Sequence, residues 1–126
     1  MNPRTCVLSG GILGAVGVAA GALGAHALEV RLSTEQLETY QVAVRYQVFH
    51  ALALVLTGTL LAQHPLKAGR IAAWAFLIGI LLFSGCLYGW LFSQWRPLVH
   101  VVPIGGIALI VGWIALAIAG WSLPAR

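Results

Sequence analysis

Four stretches of this sequence, each of about 20 residues or more, carry almost no charge, and that constrains the fold more than any other feature. They run roughly from Cys6 to Leu28, Tyr40 to Ala62, Ile71 to Phe92 and His100 to Trp121. At ~1.5 Å per residue, such a stretch is long enough as a helix to cross a bilayer core of about 30 Å. Inside that core every backbone N–H and C=O must be bonded within the protein, so a lone apolar stretch of this length forms a helix. Composition agrees, since 60% of the residues are hydrophobic and 8% charged, against about 25% charged in a soluble domain. The expected fold is all-α: an integral membrane four-helix bundle, antiparallel up-down, forming one domain over residues 1–126.

The connecting segments are EVRLSTEQLET, QHPLKAGR and SQWRPLV. The last two are short turns between antiparallel neighbours. The first, over residues 29–39, holds all three acidic residues and is expected as a short amphipathic linker, capped at Ser33 or Thr34 and either lying at the interface or feeding directly into the second span. Arg4, Lys67, Arg70 and Arg126 share one side; Arg31 and Arg96 share the other, with Arg45 near it. The positive-inside rule therefore favours cytoplasmic termini, by a narrow margin. MNPR, an apolar run and AHA have the outline of a signal peptide, but the run is longer than an h-region of about 7–15 residues and is read as a span. Cys6 and Cys86 start one span and lie deep in another parallel to it, too far apart for a disulfide, and are expected as free buried thiols. The net charge of +4 comes from scattered residues with no basic run, which argues against a nucleic-acid partner and leaves the lipid bilayer as the surrounding partner.

Gly10, Gly14, Gly17, Gly21 and Gly24 are spaced by four, three, four and three, and so line one face of the first helix. Such rows let backbones approach closely where lipid supplies no hydrophobic drive. The opposite face carries Ala15, Ala19, Ala22 and then His26, which suggests neighbours on both sides, one of them a second copy of the chain. Gly105 and Gly112 repeat the device in the fourth span, with Ala119 on the same line.

The unusual residues gather by depth. His26 ends the first span; Arg45, Tyr46, Gln47 and His50 begin the second; Ser84, Cys86 and Tyr88 occupy the later half of the third; His100 and Pro103-Ile104-Gly105-Gly106 open the fourth. All are expected toward the non-cytoplasmic face. Tyr46, Gln47 and His50 share a stripe, with Tyr88, Ser84 and His26 as partners at comparable depth, while Arg45 projects elsewhere and reaches the interface or Glu38. These residues (His26, Arg45, Tyr46, Gln47, His50, Ser84 and Tyr88) form the candidate ligand site, because ionisable groups inside a membrane are functional candidates by default. Packing alone accounts for the same residues. There is no zinc-like histidine spacing, CxxCH, nucleophile elbow or phosphate loop, so neither metal, cofactor nor catalytic residue is expected and the chain is read as not an enzyme.

GALGAH (21–26), YQVFHALAL (46–54), LFSGCLY (82–88) and PIGG…GW (103–113) together resemble the small bacterial inner-membrane proteins of the YgdD/YwdK type, a family named as a domain of unknown function with eukaryotic transmembrane relatives. The resemblance covers all four spans in order. It implies a multi-pass protein of the bacterial inner (plasma) membrane and supplies no activity or cofactor. Cys86 departs from the pattern, which has a second serine there, and a thiol is the weaker hydrogen-bond donor. The first function expected is a non-enzymatic assembly or accessory protein, in a homo-oligomer or a larger membrane complex, packing through its Gly/Ala-rich first helix. The alternative is a binding module for a lipid, quinone or other small amphiphile in the polar pocket; the third is a small transporter or channel.

Overall fold

The structure, a computed structural model, describes residues 1–124 and contains no strand among them. Four helices are long and apolar enough to cross a membrane: α1 (Pro3–Leu28), α2 (Thr34–Gln63), α3 (Lys67–Ser93) and α4 (Pro97–Trp121). Arg126, counted above for orientation, lies outside the described residues.

Local chemistry sets the boundaries. The Asn2 side chain accepts from the Thr5 N–H at 2.8 Å, with Pro3 in the first turn, where its missing N–H costs nothing. Ser33 and Gln36 form a reciprocal capping box, at 3.2 Å and 3.1 Å, so α2 begins at Thr34. The amphipathic segment therefore feeds directly into the second span: Glu35 and Glu38 sit in the first turns of α2, and only residues 29–33 connect. With 30 residues, α2 is about 45 Å long and must tilt or protrude from the hydrocarbon. Between α3 and α4, Gln94 turns the chain in the left-handed region (φ 57°), and Pro97 restarts it.

Neighbouring helices run antiparallel. Gly10 lies beside Val55 and Gly24 beside Tyr40; Gly69 meets Leu61 while Ser84 reaches Ala43; Gly112 meets Phe76 and Gly89 meets Leu98. We call the end holding Pro3, Gln63, Lys67 and Trp121 the terminal end, and the other the loop end. The main interfaces are α1 on α2, α2 on α3 and α3 on α4, and α1 has no packing interface with α4. The result is a bundle in which α2 and α3 are central and α1 is packed essentially on one side.

The glycine row of α1 is buried toward α2. A Cβ at Gly10 would stand 2.8 Å from the Ala51 carbonyl oxygen, and one at Gly17 would stand 2.7 Å from Val48 Cγ2. Gly105 and Gly112 of α4 face α3 in the same way, against the Leu82–Phe83 backbone and the Phe76 ring. The main core, at the terminal half, gathers Cys6, Leu54, Leu61, Phe76 and Leu109. Both cysteines are free; Cys6 is buried, but Cys86 is only half-buried, because α3 turns that position partly outward.

Two helices contain a π turn: Gly24–Leu28 closes α1 and Leu81–Gly85 interrupts α3. Each coincides with a polar motif read from the sequence, as such bulges often do. PIGG proves not to open a helix. Because α4 begins at Pro97, Pro103 is interior and leaves the carbonyl one turn before it without its usual partner.

Candidate functional site

The polar residues of α2 divide between two faces. Tyr40 and Gln47 look toward α1 and the end of α3, whereas His50 looks toward α3 and α4.

On the second face, His50 Nδ1 bonds the Tyr46 carbonyl at 2.7 Å, and His50 Nε2 pairs with the indole Nε1 of Trp113 at 3.1 Å. A carbonyl only accepts and an indole N–H only donates, so both partners select the neutral Nδ1–H tautomer. Both ring nitrogens are thus engaged within the protein. Around them the Tyr46 ring stacks on Phe83 (4.5 Å between centroids), and Phe76 packs edge-on against Trp113 (5.2 Å). His50 is 7% exposed.

On the first face, the Tyr88 hydroxyl donates to Gln47 Oε1 at 3.0 Å, and Gln47 Nε2 donates to the Leu13 carbonyl at 2.8 Å. One glutamine thereby ties α3 to α2 and α2 to α1. Gly17 makes the room, since a Cβ there would lie 3.4 Å from Gln47 Nε2. Tyr40 adds a second tie, donating to the Ala20 carbonyl at 2.6 Å. Ser84, in the π turn of α3, donates to the Ala43 carbonyl at 2.7 Å. Among the described residues, no buried side-chain nitrogen or oxygen is left without a partner.

The seven residues of the expected pocket are therefore not gathered in one cavity. Tyr46 and His50 border a shallow surface groove with Phe83, Gly106 and Trp113. Gln47, Ser84 and Tyr88 are engaged between helices. His26 is exposed in the π turn of α1, and Arg45 is exposed on a separate groove with Tyr40 and Gly24. No three His, Cys, Asp or Glu side chains gather closely enough to hold a metal ion among the described residues.

Depth needs correction as well. His50 lies about 24 Å along α2 from Thr34 and about 20 Å from Gln63, at ~1.5 Å per residue. Ala51 lies beside Gly10 and Gly14, and Val48 beside Gly17, so His50 is level with the middle of α1. Its donor Trp113 stands in the half nearer Trp121. The polar residues therefore reach the centre of the bundle instead of staying at one face.

The residue that the sequence reading missed is Trp113. It lies away from the span ends that hold Trp74, Trp90, Trp95 and Trp121, and that position was the available signal. An indole N–H far from the interface needs an acceptor. Replacing Trp113 with phenylalanine keeps the aromatic packing and orphans His50 Nε2. We expect a loss of about 1 kcal/mol, in the range of measured hydrogen bonds between membrane helices. A double-mutant cycle with His50→Leu, followed by denaturation in detergent, should return a similar coupling; additive losses would show that the bond carries no energy.

Comparison with known proteins places the chain. Residues 20–106 match the family described as "Protein of unknown function (DUF423)". A protein named UPF0382 membrane protein from Haemophilus influenzae is 42% identical over 100 residues, covering 79% of this chain and 80% of its own length. UPF0382 membrane protein YwdK from Bacillus subtilis is 35% identical over 118 residues, covering 92% and 95%. UPF0382 membrane protein SAB0533 from Staphylococcus aureus is 35% identical over 113 residues, covering 90% and 92%. No solved structure matches the chain significantly. The matched region holds all of the buried polar ties of α2 except the Leu13 carbonyl and the Trp113 indole. With four membrane-length helices and relatives that align along most of its length, this chain is a multi-pass membrane protein of the DUF423 family.

Proposed function

We propose that the protein is a non-enzymatic assembly element of the bacterial inner membrane, and that it self-associates through the outward face of α1. The observation that carries this reading is the one-sided packing of that helix. The glycine row is occupied by α2, so it is not the surface that meets another protein. The opposite face presents Gly11, Ala15, Ala19 and Ala22, all exposed and spaced by four, four and three. A Cβ at Gly11 would meet nothing within 4 Å. Small residues at that spacing are what two membrane helices need for close approach. The non-enzymatic part is supported by the buried polar side chains, whose hydrogen bonds are made inside the bundle.

The test is native mass spectrometry of the full chain released gently from membranes, beside the variant Ala15→Leu/Ala19→Leu. Both side chains point away from the bundle, so the variant should keep wild-type helicity. We expect a wild-type oligomer and a monomeric variant. A wild type that is monomeric, or a variant that keeps the same oligomer, would overturn the proposal. Recovery with one larger membrane complex, lost in the variant, would replace self-association by an accessory role.

A further inference from the structure

We infer that the groove between the loop-end half of α1 and the first half of α2 binds an anionic membrane phospholipid, with its phosphate on Arg45 and one acyl chain along the groove. This site is separate from the outward face of α1 and does not depend on the assembly role.

The groove has a volume of about 380 Å³, within the range of about 300–1,000 Å³ typical of small-molecule sites. Its lining includes Gly21, Gly24, Tyr40, Val44, Arg45 and Phe49. Gly21 and Gly24 lower the wall on the α1 side because they carry no side chain. Tyr40 supplies a fixed wall: its hydroxyl is held by the Ala20 carbonyl, and its ring lies against Gly24, where a Cβ would stand 2.6 Å from Cε1. Val44 and Phe49 complete an apolar trough.

Arg45 is the only charged group in that lining. It lies five residues from His50, so its Cα stands about 7.5 Å from the mid-bundle level, at ~1.5 Å per residue. At that depth an arginine is below the headgroups and calls for an anion or a route to the interface. Helical side chains lean toward their own N-terminus, which for α2 is the loop end. Arg45 is therefore directed along the groove toward the headgroups. Glu38, the nearest acidic residue in the sequence, is seven positions away, about 10 Å along the helix. The groove opens to the bilayer, so lipid is what fills it. An apolar trough with one guanidinium at its polar end matches an acyl chain joined to a phosphate, which a guanidinium can hold through two parallel bonds.

The experiment titrates the detergent-purified full chain with dioleoyl phosphatidylglycerol or dioleoyl phosphatidylcholine and reads bound lipid by native mass spectrometry. The wild type should retain one phosphatidylglycerol in preference to phosphatidylcholine. Arg45→Gln, at an exposed position, should weaken phosphatidylglycerol at least about tenfold and erase the preference. Ala25→Trp, which fills the groove from the α1 side without changing charge, should weaken both lipids. Arg31→Gln, an exposed arginine at the same end, should behave as wild type. Unchanged phosphatidylglycerol binding in Arg45→Gln would overturn the proposal, as would an equal loss in Arg31→Gln, which would reveal unspecific charge attraction. Complete displacement by excess inorganic phosphate would also overturn it, because it would assign the site to a free anion.

Discussion

Replacing Gly105 with leucine is expected to break the α3–α4 interface, at a cost of about 3 kcal/mol or more, while the same change at Gly106 costs under about 1 kcal/mol. A Cβ at Gly105 would collide with the backbone nitrogen of Phe83 and stand 2.7 Å from the carbonyl carbon of Leu82. Both obstacles are main chain, so no rotamer change relieves them, and α3 would have to move at its π turn. At Gly106 the nearest atoms belong to the Phe83 ring, at 3.8 Å, an ordinary contact. Two adjacent glycines thus give the comparison its control. The measurement is reversible unfolding of both variants in mixed detergent micelles, followed by helicity. Equal losses would mean that close backbone approach is not what holds α4.

The second large effect is expected at Gly10. Its Cβ position is 2.8 Å from the Ala51 carbonyl oxygen and 3.1 Å from the Val55 nitrogen, again main chain, besides 2.7 Å from Val55 Cγ2. Gly10→Leu should separate α1 from α2 at this level and cost about 2–3 kcal/mol. The strain falls one turn from Leu13, so the Gln47 tie should weaken with it. Gly11→Leu, one residue away and facing open space, should leave monomer stability within about 0.5 kcal/mol. Hydrogen exchange along α1 distinguishes the outcomes. Faster exchange in Gly10→Leu alone is expected; equal protection in both variants would refute the close α1–α2 contact.

Much of the architecture was legible because a membrane restricts what a sequence can mean. The four apolar stretches, the Ser33 cap and the glycine rows of α1 and α4 are local patterns, and each implies its structure by length or period. What a period cannot provide is the identity of the neighbour. The row from Gly10 to Gly24 reads equally as a surface for another protein or for α2, and only the assembled fold assigns it to α2. The polar residues were individually visible, but their grouping was not. Gln47 and His50 are close in sequence yet serve opposite neighbours, and their partners include the main-chain carbonyls of Leu13 and Tyr46, which no side-chain pattern announces. Trp113 was not among the candidate residues, although an indole N–H far from the span ends needs an acceptor. PIGG was misread because four apolar residues and His100 continue α4 back to Pro97, which hides the true helix start.

The order in which the helices touch has a consequence for how the chain is built. Its main interfaces all join helices that follow one another in the sequence, so contact order is low and each surface can close as soon as its second helix emerges during synthesis. The α1–α2 hairpin can be sealed, glycine against carbonyl, before α3 exists. The exception is the bond between the Trp113 indole and His50, which joins α2 to α4 across 63 residues of sequence. That contact has to wait for the last helix. Until then His50 Nε2 lacks its indole donor, and the arrival of Trp113 marks the completion of the bundle.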